Sequence, residues 1–308
     1  MLGKRRFRRG TTRSCRTPRP QIRWEVSSLK PSSFDYCRPD TVQEAVTALV
    51  QADGDGKIIA GGQSLVPVLA MRLGAPPILI DINRIPSMSG IDRDGADRVR
   101  IGALVRHREL QDQPLVPLLA EAASWIGHTA IRTRGTAGGS IAHADPAAEL
   151  PVVVAALDAQ IEVDGPDGPR SVSASDFFVG PLETSLRDTE IVTAIELPIP
   201  DRWGFAELSR RHGDFGLVTV VAAQVGDHYQ LAIGGVGPVP IRPRESEQIL
   251  ADGPLTTARV REAAKAAAAI VTAGSDIHAS GAYRVAMTEE FTRRALLQLV
   301  GEETNGVC

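Results

Sequence analysis

The sequence predicts an α+β fold from three features: short β-branched runs, stretches of helical apolar spacing between them, and glycine pairs where a run gives way to a helix. From Asp40 onward, Val42, Ala45, Val46, Leu49 and Val50 repeat at helical spacing behind an Asp cap with Gln43 three residues on. This is the pattern of a capped amphipathic helix. Lys57-Ile58-Ile59-Ala60 and Pro77-Ile78-Leu79-Ile80-Asp81-Ile82 read as buried strands, and Leu65 to Leu73 between them as a helix. Strand, glycine turn, helix, strand is the order of a parallel βαβ unit, whose ligand lies at the carboxyl end of the strand. Further strands are expected at Arg98 to Ile101, Gln160 to Val163, Glu190 to Leu197, Val218 to Ala223 and Tyr229 to Ile233. Helices are expected around Leu115 to Ile126, over 257–272 and over 282–300, the last with an apolar stripe at Met287, Phe291, Leu296 and Leu299. A turn-rich passage from Pro238 to Arg244 precedes the last two helices, and a small C-terminal domain is expected from about residue 205.

With 308 residues, the chain has room for two or three domains of ~100–200 residues each. Its composition, 43% hydrophobic and 23% charged, is that of an ordinary globular protein and names no function. The net charge of −3 hides an asymmetry: residues 1–30 carry eight Arg and two Lys against Glu25, which leaves the rest of the chain at −12. An acidic folded part argues against nucleic-acid binding. The basic stretch, rich in Ser, Thr and Pro, reads as a disordered extension or as translation from an upstream start. Cys15, Cys37 and Cys308 form no iron-sulfur or zinc pattern, so the chain is expected to hold no metal. No apolar run approaches the ~20 residues of a membrane span. No secretory signal is evident either, and cytoplasmic residence is the expectation.

Two glycine loops carry the chemistry. Ala60-Gly61-Gly62-Gln63-Ser64 lies where a strand becomes a helix, and successive N–H groups in such a turn make a concave anion site suited to a pyrophosphate. Gln63 and Ser64 add side-chain donors; a plain tight turn is the bland alternative. Thr136-Ala137-Gly138-Gly139-Ser140 repeats the design, so a second nest would clamp the same diphosphate from the other side. Asp145 and Glu149 follow, placed to accept from ribose hydroxyls or adenine, although Asp145 reads equally as a cap before Pro146. No GxGxxG or GxxxxGK[ST] is present, so another fold does the binding. His107, His128, His143 and His212 receive no catalytic role, and His143 is expected to make a structural hydrogen bond.

The segments KIIAGGQSLVPVLAMRL, LIDINRI, IGALVRHREL and IRTRGTAGGSIAHADPAAELPVVVAAL occur in the order seen in the flavin subunits of molybdenum hydroxylases. FAELSRRHGDFGLV, GGVGPVPIRPRESEQIL and DIHASGAYRVAMTEEFTRRAL continue the likeness, so that the chain resembles the FAD-binding medium subunit of the carbon monoxide and xanthine dehydrogenase type from about residue 30 to 300. The resemblance implies a two-subdomain FAD-binding fold of the PCMH type over 30–204, a small α+β C-terminal domain over 205–303, and a basic extension over 1–29. It implies that Ile58, Ile59, Ala60, Gly61, Gly62, Gln63, Ser64 and Leu65, with Thr136, Ala137, Gly138, Gly139 and Ser140, hold the FAD pyrophosphate. Asp145 or Glu149 would lie near the adenosine half, and Val192 and the loop Ser209 to Asp214 near the isoalloxazine. A Lys common before the Arg pair in xanthine dehydrogenases is absent from Phe205-Ala206-Glu207-Leu208, which leaves the electron acceptor open. The implied partners are a large molybdopterin subunit, a small subunit with [2Fe–2S] clusters and an external electron acceptor. The rivals are a self-contained FAD oxidoreductase and an assembly factor. Against them stand the short C-terminal domain, the lack of a flavin-linking His or Cys in the loops, and the intact glycine pairs.

Overall fold

Apolar spacing behind Thr41 sets the first helix, α1 (Val42–Gln51), which buries Val42, Ala45, Val46 and Leu49. Its cap lies one residue later than expected. Thr41 Oγ1 accepts the Glu44 amide at 3.2 Å, and Glu44 Oε2 accepts the Asp40 amide at 2.9 Å, one residue ahead of the cap, so the turn closes without Gln43. Val50, on the expected apolar stripe, is exposed. This computed structural model describes residues 30–301, so the basic stretch and its expected disorder lie outside the described residues, as do Cys15 and Cys308.

The βαβ unit is present and parallel. Strands β1 (Asp35–Cys37), β2 (Lys57–Ile59) and β3 (Ile78–Asp81) form a sheet in the order β1-β3-β2, with α2 (Leu65–Ala70) crossing between β2 and β3. The helix ends before the predicted Leu73 because Arg72 turns left-handed at φ 56° and the Leu73 amide folds back to the Val68 carbonyl. Ile58 and Ile59 are only half-buried, unlike the core strand expected of them.

A second, antiparallel sheet runs β4 (Ile91–Asp94), β5 (Arg98–Gly102), β10 (Ile191–Pro198), β6 (Gln160–Asp164) and β7 (Arg170–Ser173). Helices α3 (His107–Asp112), α4 (Pro117–Trp125), α5 (Thr129–Arg132), α6 (Ala137–His143) and α7 (Glu149–Ala156) lie between β5 and β6 in the chain. A short helix, α8 (Ala174–Phe177), leads into the hairpin β8 (Phe178–Gly180) and β9 (Glu183–Thr184). Helix α7 is buried along its whole length, which explains why its Leu-Pro-Val-Val-Val-Ala-Ala run shows no helical stripe.

The third sheet, β11 (Arg202–Leu208), β12 (Val218–Val225) and β13 (His228–Gly234), is antiparallel. One face packs on α9 (Arg244–Ala251) and α11 (Gly281–Val300), with α10 (Thr257–Ala269) against both of these helices, and the other on α7 and α4. In β12, Val218, Val220 and Ala222 enter the core with α9–α11, whereas Val221 and Ala223 enter the larger core with α4 and α7. A strand covered on both faces reads as an unbroken apolar run, as this one does.

Candidate cofactor site

The carboxyl end of β2 opens into the first glycine loop, as the βαβ order requires. Gly62 adopts φ +72°, which only glycine takes without strain. Gly61 faces the second loop so closely that a Cβ would stand 2.4 Å from the Arg134 carbonyl oxygen and 2.8 Å from the Gly135 Cα. Loops more than seventy residues apart in sequence therefore meet backbone to backbone. The amides of Gly61, Gly62, Gln63 and Ser64 have no protein acceptor among the described residues, and the Ser64 hydroxyl makes no capping bond. Gln63 braces the turn through Nε2, which donates to the Gly61 carbonyl at 3.1 Å.

The second loop is built differently. Its Ala137 amide donates to the Val105 carbonyl, Gly138 to Ala103, Gly139 to Thr136 Oγ1 and Ser140 to the Thr136 carbonyl. The expected row of free N–H groups is thus occupied, and Thr136 caps α6 rather than reaching outward. A Cβ on Gly138 would meet the Ala103 Cβ at 2.4 Å, so this glycine serves close packing on the end of β5. Thr136, Gly138, Gly139 and Ser140 border the space beyond, and the Ser140 hydroxyl has no protein partner among the described residues.

That space is a cleft of about 1880 Å³, above the usual range for small-ligand pockets and wide enough for an extended dinucleotide. Of the sixteen residues implied by the sequence, all line it except Ala137, which is buried behind the loop. Val192 lines it beside a bulge between Val192 and Ala194 that shifts the β10 register. From the loop after β11, Arg210, Gly213 and Asp214 line the cleft, together with the exposed Phe215. Asp145 Oδ1 accepts the Ala147 amide at 2.9 Å, which fixes the turn ahead of α7 without capping the helix, since the cap position is Ala148.

Several residues that hold the site escaped the sequence reading. Asn83 donates to the Ala60 carbonyl at 2.8 Å and to Asp81, while its oxygen accepts from Arg106 at 2.6 Å; Arg106 in turn donates to the Arg134 carbonyl. One chain of bonds thus ties the back of the first loop to the second. The neighbouring His107 is buried and its Nε2 lies 3.0 Å from the Thr136 carbonyl, so the neutral ring holds the second loop as a donor. Burial pushes its pKa down to about 4. His143, expected to make such a bond, makes none among the described residues. Asn83 and Arg106 stand in quoted motifs, LIDINRI and IGALVRHREL, but a single polar residue after a strand carries no signal of the partner it will find.

Two carboxyls stand in this region, Glu149 on the cleft and Glu207 behind Gly216. Glu149, expected as an ionised acceptor, is buried, and burial with the Asp145 charge pushes its pKa up to about 7. Glu207 on β11 is pushed up to about 9 by burial and by Glu149. Among the described residues, no group of three or more His, Cys, Asp or Glu is placed to hold a metal ion, and no helix is long and apolar enough to cross a membrane.

The free amides of the first loop, the close approach that Gly61 permits and the long cleft fit an extended dinucleotide diphosphate. Residues 32–200 match the FAD binding domain in molybdopterin dehydrogenase, and residues 203–299 match the CO dehydrogenase flavoprotein C-terminal domain. The chain is 39% identical to the nicotine 6-hydroxylase medium subunit of Paenarthrobacter nicotinovorans, over 88% of this chain and 98% of that one. It is 37% identical to the carbon monoxide dehydrogenase medium chain of Hydrogenophaga pseudoflava, over 86% and 96%. Its structure resembles a chain of quinoline 2-oxidoreductase from Pseudomonas putida 86, with a TM-score of 0.83 and 35% identity over 88% and 98%. With both halves matched in order over nearly the whole length of these relatives, the chain belongs to the family of FAD-binding medium subunits of molybdenum hydroxylases.

Proposed function

We propose that this chain is the flavin station of a three-part molybdenum hydroxylase, with a large molybdopterin subunit and a small [2Fe–2S] subunit as its partners. FAD held here would supply the redox chemistry, the passage of electrons from the partners' centres to an external acceptor. The chain's own residues hold and orient. Gly61, Gly62, Gln63 and Ser64 present amides to the diphosphate, Gly139 and Ser140 face it from the second loop, and Asp145 and Glu149 stand towards the adenosine half. Val192 and the loop carrying Arg210 and Asp214 border the ring. The division of the chain follows the same reading: an FAD-binding domain over 30–204 and a C-terminal domain over 205–303.

The observation that carries this reading is the convergence of two distant glycine loops, held by Asn83 and Arg106, on one wall of a cleft long enough for FAD. Substrate choice lies with the large subunit: relatives named for nicotine, carbon monoxide and caffeine all match this chain. The test is an absorption spectrum of the full chain with acid release of the chromophore, beside a pull-down from its native extract. Released FAD and co-purifying iron-sulfur and molybdenum subunits are expected. Substrate-dependent flavin reduction by the isolated chain would instead make it a self-contained oxidoreductase, and a chain unable to take up FAD would make it an assembly factor.

A further inference from the structure

Glu207, which nothing in the proposed electron relay uses, shares a cross-strand row with Thr219 and Gly234, and Gly234 backs onto Val152 of α7, the helix that Glu149 opens. Glu149 opens α7 and is 7% exposed; Glu207, on the β11 face turned toward α7, is 6% exposed. Thr219 Oγ1 donates to Glu207 Oε2 at 3.2 Å, while Glu207 Oε1 is buried without any partner. No arginine, lysine or histidine pairs with either carboxyl among the described residues. The ionisable groups on the surrounding elements include Asp145 before α7, His143 at the end of α6, Glu121 on α4, Asp176 on α8, Tyr229 on β13 and Arg284 on α11. Glu121 accepts from the Trp125 indole, and Arg284 is committed to the carbonyls of Leu217 and Gly235 and to Asp276. Asp145 adds negative charge and raises the Glu149 pKa further.

Two carboxylates in a dry seam without a cation cannot both ionise, so the pair keeps at least one proton. Its two members are unequal. Glu207 lies behind Gly216, where a Cβ would stand 3.4 Å from its Cγ, whereas Glu149 lines the cleft itself. We propose that Glu207 and Glu149 form a proton-linked pair, Glu207 the standing acid and Glu149 the titrating member, so that entry of an anionic dinucleotide draws a solvent proton onto Glu149. This rests on the FAD reading, since FAD brings the diphosphate charge. The balance is one proton from solvent and one O–H bond formed on Glu149, with no electron moved. The pKa order, about 9 for Glu207 and about 7 for Glu149, agrees with the assignment.

The sign follows from linkage: cofactor affinity is highest where Glu149 is already neutral and falls as pH rises through its pKa in the free chain, by up to roughly tenfold per pH unit for one proton. FAD is titrated into the full apo chain, followed by flavin fluorescence quenching, between pH 6 and 9. Affinity is expected to fall at least about tenfold between pH 7 and 8.5. Glu149→Gln is expected to flatten the profile, whereas Glu207→Gln, which imitates the standing acid, keeps the slope. Calorimetry of the unmodified chain in buffers of different protonation heat is expected to count about half a proton taken up at pH 7 and close to one at pH 8. That count does not depend on either variant folding. A level profile, zero proton uptake, or a slope that survives Glu149→Gln would overturn the linkage alone. A chain that binds no FAD at any pH would sink the cofactor reading instead.

Discussion

The two glycine loops share an Ala-Gly-Gly core and a following serine, yet treat their backbone donors in opposite ways. The first, Gly61 to Ser64, leaves its amides without internal acceptors; the second, Ala137 to Ser140, engages each of its amides on Val105, Ala103 or Thr136. A glycine pair beside hydroxyl residues therefore does not say whether the loop binds an anion or packs against a strand. What decides is whether a neighbouring strand end takes the donors. Here the residues just past β5 take the Ala137 and Gly138 amides and Thr136 takes the other two, while the first loop faces the open end of a parallel sheet.

The largest expected effect separates the loops directly. Gly61→Ala drives a Cβ to 2.4 Å from the Arg134 carbonyl oxygen, a backbone clash that parts the two loops, so FAD affinity is expected to drop on the order of 100-fold, or about 3 kcal/mol, with the apo chain also losing about 1–3 kcal/mol of stability. Gly138→Ala should act chiefly on stability. Its clash with Ala103 is internal packing, so stability is expected to fall by about 1–3 kcal/mol in urea titration, with weaker cofactor binding as a consequence. Equal effects on both readouts for both variants would dissolve the distinction.

Acid should strike the second loop first. His107 has a folded pKa of about 4 against 6.5 for the free side chain, so the unfolded chain binds its proton first. Its contribution is fully present above pH 6.5 and is lost as pH falls toward 4. A loss on the order of 2 kcal/mol at pH 5 is expected, read as a shift of the urea midpoint that His107→Gln removes. Glu207 runs the other way. Its pKa is raised to about 9, so the stability it contributes is lost as pH rises from the ordinary carboxylate range toward 9, and Glu207→Gln should stabilise the chain at pH 8 relative to wild type.

Smaller effects sharpen the comparison. Thr136→Ala removes the α6 cap and should cost about 1 kcal/mol of stability. Ser64→Ala removes a hydroxyl with no capping bond and should leave stability within about 0.5 kcal/mol. A few-fold weaker FAD affinity would be its only mark, measured by fluorescence quenching of the bound flavin.

Period and punctuation in the sequence determined the βαβ unit, the strands β5, β6, β10, β12 and β13, the long helices, and the two glycine pairs as candidate binding loops. These signals are local: β-branched runs, helical spacing and glycine reflect what the backbone does within a few residues. The cap of α1 was misplaced by one residue because Asp40 and Thr41 both suit the position, and only the bond from Glu44 selects Thr41. Helix α6 and strand β11 were not anticipated, since a helix of Ala-Gly-Gly-Ser-Ile-Ala-His goes against propensity and is held by Thr136, Ala103 and Val105.

Tertiary structure alone decided which amides remain free, that Asn83 and Arg106 join loops distant in the chain, that His107 rather than His143 makes the structural bond, and that Glu149 acts on Glu207. The physical reason is the same in each case. A donor is free only if no neighbour accepts from it, and a carboxyl is an acid or a base according to what buries it and what charge stands beside it. Those neighbours come from elements that the chain places far apart, and the fold alone brings them together.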